Sequence, residues 1–184
     1  MNLSKTNYFL LFLIILTIPH ILHYIGCKKN DLISFDNLKY SLIFIRALTL
    51  LLGLLWINYF ILNGKNTLNN WIPPTNVGLY IGTSFVIIGQ FLNYSVYKTL
   101  GTDGVYYGLE YGKVKYKEKK IVFPYSVLSA PQYTGAIISL IGVFLMWGIR
   151  KNYKIDKYFF ILMAWPMLLY ALMIKVEKNC DKKN

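Results

Sequence analysis

The residues able to do chemistry lie mostly in one stretch, Leu100–Gly135, which reads LGTDGVYYGLEYGKVKYKEKKIVFPYSVLSAPQYTG. It sets two carboxylates, Asp103 and Glu110, among Gly101, Gly104, Gly108 and Gly112. A carboxylate in such a segment can accept a proton; the plainer reading is a solvated loop charge. Two proline-aromatic elements follow, Phe123-Pro124-Tyr125 and Pro131-Gln132-Tyr133, and Lys98 joins five lysines between Lys113 and Lys120 in a basic patch. Glu177 closes the last apolar run. A carboxylate at that depth is usually an interfacial charge, but a helical hairpin would bring it back beside the Gly-rich stretch. Earlier in the chain Gly82, Gly89, Gln90, Asn93, Tyr94 and Tyr97 fall largely on one helical stripe. Amides left unpaired in hydrocarbon are costly, so this stripe must face other helices or a wet cavity. Close packing through the glycines and a ligand pocket both remain open.

These residues are positioned by apolar segments. The chain has 184 residues, 55% of them hydrophobic, and a mean hydropathy of +0.41, outside the range of ordinary soluble domains. A helix needs roughly 20 apolar residues to cross the hydrocarbon core. The candidates are Tyr8–Gly26, Leu38–Leu62, Val77–Leu100, Tyr133–Gly148 and Tyr158–Lys175, the last two short and separated by the basic turn Arg150–Lys157. The expected fold is all-α: one domain, a polytopic integral membrane helical bundle with four or five transmembrane spans and a C-terminal helical hairpin. Its Gly-rich connector runs over residues 100–132. The first segment lacks a small-x-small cleavage site and reads as a retained helix rather than a signal peptide.

The net charge of +12 does not indicate nucleic acid, because the lysines cluster in loops beside the spans, as the positive-inside rule requires. With five spans and the N-terminus outside, 13 basic residues fall inside and six outside. The connector and the C-terminal tail then share the cytoplasmic side. The turn at Arg150–Lys157 argues weakly against this. Arg46 lies within the second span, close enough to its inner end to snorkel. His20 and His23, one helical turn apart, either pack at the interface, the plainer reading, or face a polar cavity. Cys27 and Cys180 cannot form a disulfide framework and read as interfacial thiols. No Cys/His cluster suggests a metal.

The order Leu100-Gly101, Gly104, Gly108, Gly112, then Phe123-Pro124-Tyr125, then Pro131-x-Tyr133-x-Gly135, then an apolar hairpin ending in Glu177, resembles the small membrane phosphatidylethanolamine N-methyltransferases. That family converts phosphatidylethanolamine, or its mono- and dimethyl forms, into phosphatidylcholine. The resemblance covers roughly Val77–Asn179; before it only the span pattern is similar. It implies S-adenosyl-L-methionine as cofactor, held at two short motifs. A G-x-G in the third span falls on Ile87-Ile88-Gly89, where only the second glycine is present. A glutamate pair after the last span falls on Val176-Glu177, where only the second glutamate is present. Larger relatives that methylate prenylcysteine carry Arg-His before the P-x-Y-x-G element; this chain has Ser129-Ala130, which points to the phospholipid branch.

The resemblance also implies roles. A carboxylate such as Glu177 would pair with the cofactor's cationic groups, and Gly89 with its flanking isoleucines would offer backbone approach and an apolar wall. The acceptor amine of phosphatidylethanolamine is largely protonated at neutral pH, so a base is needed. Glu110 is the first candidate, Asp103 the second, and Tyr133 would hydrogen-bond a phosphate or order the site. The expected setting is the endoplasmic reticulum membrane, with the site facing the cytosol and a membrane phospholipid as substrate. Three other readings stay open. One is a prenylcysteine carboxyl methyltransferase-like enzyme. Another is a steroid-reductase-type enzyme, which would need a nicotinamide phosphate pocket and a longer charged C-terminal signature. The third is a degenerate, non-catalytic lipid-binding membrane protein.

Overall fold

A computed structural model describes residues 5–29, 31–57, 75–113, 122–148 and 157–180. Five helices follow one another: α1 (Lys5–Lys28), α2 (Phe35–Ile57), α3 (Asn76–Val105), α4 (Pro131–Gly148) and α5 (Lys157–Cys180). No strand occurs among the described residues. Parts of α1, α3 and α5 (Phe9–Lys28, Asn76–Val105 and Phe160–Asn179) are long and apolar enough to cross a membrane, and α4 carries a shorter apolar stretch, Pro131–Met146. The all-helical membrane fold therefore stands. The fifth segment is longer than its sequence suggested, because α5 continues through Glu177 to Cys180. The remainder of the second expected span, 58–62, the turn Arg150–Lys157 up to 156, and most of the lysine patch lie outside the described residues.

Large apolar side chains cover the outside: Ile14, Phe44, Val77, Ile87 and Leu168 are all exposed. A soluble protein would not tolerate such a surface, whereas a bilayer solvates it. Lipid tails are as apolar as leucine, so association of the helices rests on close packing and interhelical hydrogen bonds rather than on removal from water. The α3–α4 pair shows how. The two helices run antiparallel and meet at Gly82 against Gly142, and at Gly89 against Gly135, seven residues apart on each helix. A Cβ at Gly89 would strike the Gly135 carbonyl and Ser139; one at Gly142 would strike the Gly82 carbonyl. Beside this seam Gln90 Nε2 donates to Ser139 Oγ at 2.9 Å. Across the bundle, Trp165 Nε1 of α5 donates to Thr17 Oγ1 of α1 at 3.1 Å.

The ends of the helices define a connector pole. The chain leaves α1, enters α2, leaves α3, enters α4 and leaves α5 there. Thr75 caps the far end of α3, accepting the Gly78 N–H at 3.1 Å. Gly101, with φ 66° and ψ 175°, breaks α3 just before its last turn. Only glycine adopts such a conformation readily. The chain then winds through tight turns, with Gly108 N–H on the Asp103 carbonyl at 2.7 Å and Lys113 N–H on the Gly108 carbonyl at 2.6 Å. Tyr111 Oη donates to the Ile33 carbonyl at 2.8 Å, and Asp103 pairs with Lys39 at the start of α2. Leu38, Leu42 and Val96, buried with Val105, Tyr106 and Tyr107, seal the connector against α2 and α3. The Gly-rich segment is thus a docked floor.

Candidate functional site

Tyr107 is the centre of this floor. It is buried and holds φ at 68°, a left-handed conformation that costs a side-chain-bearing residue roughly 1–2 kcal/mol. The contacts it makes account for that cost. Its hydroxyl lies 3.0 Å from His23 Nδ1 of α1 and 2.9 Å from Tyr133 Oη of α4. On the other side of the imidazole, an Arg46 guanidinium nitrogen lies 2.8 Å from His23 Nε2. A guanidinium only donates, so Nε2 accepts and the ring proton sits on Nδ1. The proton order follows: Arg46 donates to His23, His23 to Tyr107, and Tyr107 to Tyr133. The Tyr133 hydroxyl hydrogen is left for whatever enters the space beside it.

That space is a cavity of about 670 Å³ between all five helices, within the usual range for small-molecule sites, roughly 300–1,000 Å³. Its wall is graded along the bundle axis. Near the connector it presents His20, His23, Arg46, Tyr97, Gln132 and Tyr133; farther away it is formed by Phe12, Leu16, Leu140, Leu162 and Met163. Gln90, Asn93 and Ser139 lie between. The polar stripe on α3 divides: Gly82 and Gly89 pack against α4, Gln90, Asn93 and Tyr97 line the cavity, and Tyr94, 64% exposed, departs from the expectation and lies on the outside. Two buried polar atoms on the wall, His20 Nδ1 and Asn93 Oδ1, lack hydrogen-bond partners. Each such atom costs about 1–3 kcal/mol unless a ligand or water satisfies it.

Three expectations about α1 and α2 are corrected here. Arg46 does not snorkel outwards; it turns into the bundle, donates to His23 and lies over the Tyr106 ring at 5.3 Å. His20 and His23 do not pack at an interface; both are buried and line the cavity. The sequence signal was present, since an ionisable residue inside an apolar span is a functional candidate by default. Tyr107 carried no such signal, because nothing in its local sequence separates it from the tyrosines on either side. Cys27 is also not a plain thiol but disulfide-bonded.

The residues singled out from the sequence divide into two groups. Glu110, Tyr133, Val176 and Glu177 converge. Burial pushes the Tyr107 phenol well above the ordinary tyrosine range, and Tyr133, Glu177 and Glu110 reinforce the shift, which places both carboxylates within its electrostatic reach. Glu110 and Glu177 are half-buried. Val176 packs on the buried cluster of Ala130, Tyr133 and Met173. Gly89 sits farther along α3, against Gly135 and Ser139. Ile87 and Ile88 do not join the site: they are 63% and 51% exposed, on the outer face of α3. Asp103, the second candidate base, is engaged by Lys39.

The site is thus electrically divided. Arg46 is the one cation on the cavity wall, and no carboxylate lines that wall among the described residues. Glu110 and Glu177 act on Tyr107 without lining that wall. Such an arrangement suits a ligand that carries both charges.

Comparison with known proteins shows what the chain is similar to. Residues 77–183 match the family model described as phospholipid methyltransferase. A phosphatidyl-N-methylethanolamine N-methyltransferase of Arabidopsis thaliana is 40% identical over 74 residues, 40% of this chain and 40% of that protein. Phosphatidylethanolamine N-methyltransferase B of Dictyostelium discoideum is 34% identical over 88 residues, 48% of this chain and 42% of that protein. The matched stretch thus spans about two fifths of each of these relatives. No solved structure matches the chain significantly. With more than half of its length matched by the family model, the chain belongs to the phospholipid methyltransferase family.

Proposed function

We propose that this member of the family transfers methyl groups from S-adenosyl-L-methionine to the amine of phosphatidylethanolamine, or of its mono- and dimethyl forms, towards phosphatidylcholine. The observation that carries the reading is that Glu110 and Glu177 both act on Tyr107, whose hydroxyl meets Tyr133 on the polar part of the cavity wall. The residues present fit the cofactor. Its amino acid end is zwitterionic, and the region offers carboxylates for cations as well as an unmet acceptor at Asn93.

S-adenosyl-L-methionine, when bound, supplies a methyl group on a sulfonium, so an N–C bond forms as the C–S bond breaks. The protein's own work is deprotonation and alignment. Glu110, half-buried beside Tyr107, takes the ammonium proton and frees the nitrogen lone pair. Glu177 pairs with a cofactor cation, and Val176 helps to hold the end of α5 against Tyr133. Tyr107 stays protonated across the physiological range, since burial raises its phenol, and so serves as a fixed hydrogen-bonding post. Gly89 acts through the seam with α4, which sets where Gln90 and Asn93 stand. We place the activity in the endoplasmic reticulum membrane, with the connector pole towards the cytosol.

The test uses purified protein or membranes, radiolabelled S-adenosyl-L-methionine, and four acceptors: phosphatidylethanolamine, its monomethyl and dimethyl derivatives, and a prenylcysteine. Label in the phospholipids that disappears with Glu177→Ala supports the reading and shows which methylations occur. Label confined to prenylcysteine would move the substrate to the sister class, and no label from folded protein would sink the catalytic reading.

A further inference from the structure

Arg46 lies on α2, outside the residues matched by the family model. Among the described residues it meets the imidazole of His23, the ring of Tyr106 and the hydroxyl of Tyr97, none of them an anion. Besides the imidazoles of His20 and His23, the titratable groups that share its field are the phenols of Tyr97, Tyr106, Tyr133 and Tyr170. A guanidinium at membrane depth, on a wall without carboxylates, calls for a counter-anion. Two more groups converge on the same polar end. The Tyr133 hydroxyl, at the end of the chain of donors, has its hydrogen to give, and His20, 8% exposed, has an unpartnered Nδ1. Beyond them the wall turns apolar at Phe12, Leu16 and Leu162.

We propose that Arg46, with Tyr133 and His20, binds the phosphodiester of a phospholipid drawn into the bundle, with the acyl region towards Phe12, Leu16 and Leu162. The identity of the headgroup nitrogen rests on the methyltransferase reading above; the phosphate site rests on the cavity. A guanidinium matches oxyanion geometry with paired donors. Seated there, the phosphate directs the headgroup amine towards the tyrosine pair and the carboxylates that act on Tyr107. The opposite orientation would set an ammonium against Arg46 and a phosphate against Glu110 and Glu177. The same charge argument keeps a sulfonium away from Arg46. A wall that grades from polar to apolar fits an amphipathic lipid better than a cofactor carboxylate.

The experiment measures binding by calorimetry, on the full chain in non-ionic detergent, and so does not depend on turnover. The probes are dioctanoyl phosphatidylethanolamine and dioctanoylglycerol, which lacks the phosphate and headgroup, with dioctanoyl phosphatidic acid to isolate the phosphate. Both phosphate-bearing lipids should bind at least tenfold more tightly than dioctanoylglycerol. Arg46→Gln should erase that preference, Arg46→Lys should retain part of it, and affinity for S-adenosyl-L-methionine should be unchanged in both. Equal binding of the three lipids by the wild type, a comparison that needs no variant to fold, overturns the proposal. So does loss of S-adenosyl-L-methionine affinity in Arg46→Gln with the lipid preference intact, which would give Arg46 to the cofactor's carboxylate. Displacement of the lipid by equimolar inorganic phosphate would show a site for free phosphate instead. Phosphate preference without methyl transfer removes the enzymatic reading alone; methyl transfer without phosphate preference removes this inference alone.

Discussion

One hydroxyl joins the connector to α1 and α4. Tyr107 accepts from His23 and donates to Tyr133, so Tyr107→Phe strands a partner on each side within a buried space. We expect stability to fall by about 1–3 kcal/mol, the cost of unmet buried polar groups, and kcat to fall with it. A denaturation midpoint and turnover both equal to wild type would show that the chain of donors is idle. The two carboxylates should separate by kinetics. Glu110→Gln removes the proposed base, and general-base loss typically costs about 10²–10⁴ in rate, with S-adenosyl-L-methionine affinity kept. Glu177→Gln should do the reverse, weakening cofactor binding more than it slows the saturated reaction. If the two variants share one kinetic signature, the division of roles is wrong.

Helices and their seams explain why part of this was readable and part was not. The five apolar segments set the fold, because period and length suffice to find helices in a membrane protein. The convergence of Glu110 with Glu177 also followed from the expected hairpin. What could not be read was the direction in which helical side chains face. Arg46 stands three turns into α2, and whether it reaches outwards or inwards depends on His23, which belongs to another helix. The same applies to Ile87-Ile88-Gly89: the spacing marks a motif, but Gly89 meets Gly135 while Ile87 meets the outside. Restoring the family's first glycine tests this. Ile87→Gly should cost about 1 kcal/mol in helix propensity and leave S-adenosyl-L-methionine affinity where it was. Gly89→Leu should cost about 1–3 kcal/mol or more from overpacking against the Gly135 carbonyl and disturb binding through Gln90 and Asn93. A gain in cofactor affinity from Ile87→Gly would instead restore the motif as a direct contact.

The whole molecule has one chemically busy end. The connector, the last turns of α1, α3 and α5, and the first turns of α2 and α4 gather there, together with Lys28, Lys39, Lys98, Lys113, Lys175 and Lys178. Basic residues next to spans stay on the cytoplasmic side, and a lysine-rich pole draws anionic headgroups to the membrane surface around the site. The polar end of the cavity is the end nearer this pole, so the lipid selection and methyl transfer proposed above would share a side of the membrane. This predicts a protease-protection pattern in sealed microsomes. An epitope inserted between Lys117 and Glu118 and another appended after Asn184 should both be digested by protease added from outside, because α3 ends, α4 begins and α5 ends at one pole. An epitope between Lys65 and Asn66, in the sequence between α2 and α3, should survive until detergent is added. Digestion of the Lys65 epitope with protection of the other two would invert the orientation and put the site on the lumenal side. Protection of the tail with digestion of the connector would contradict the packing of α5 against the connector pole.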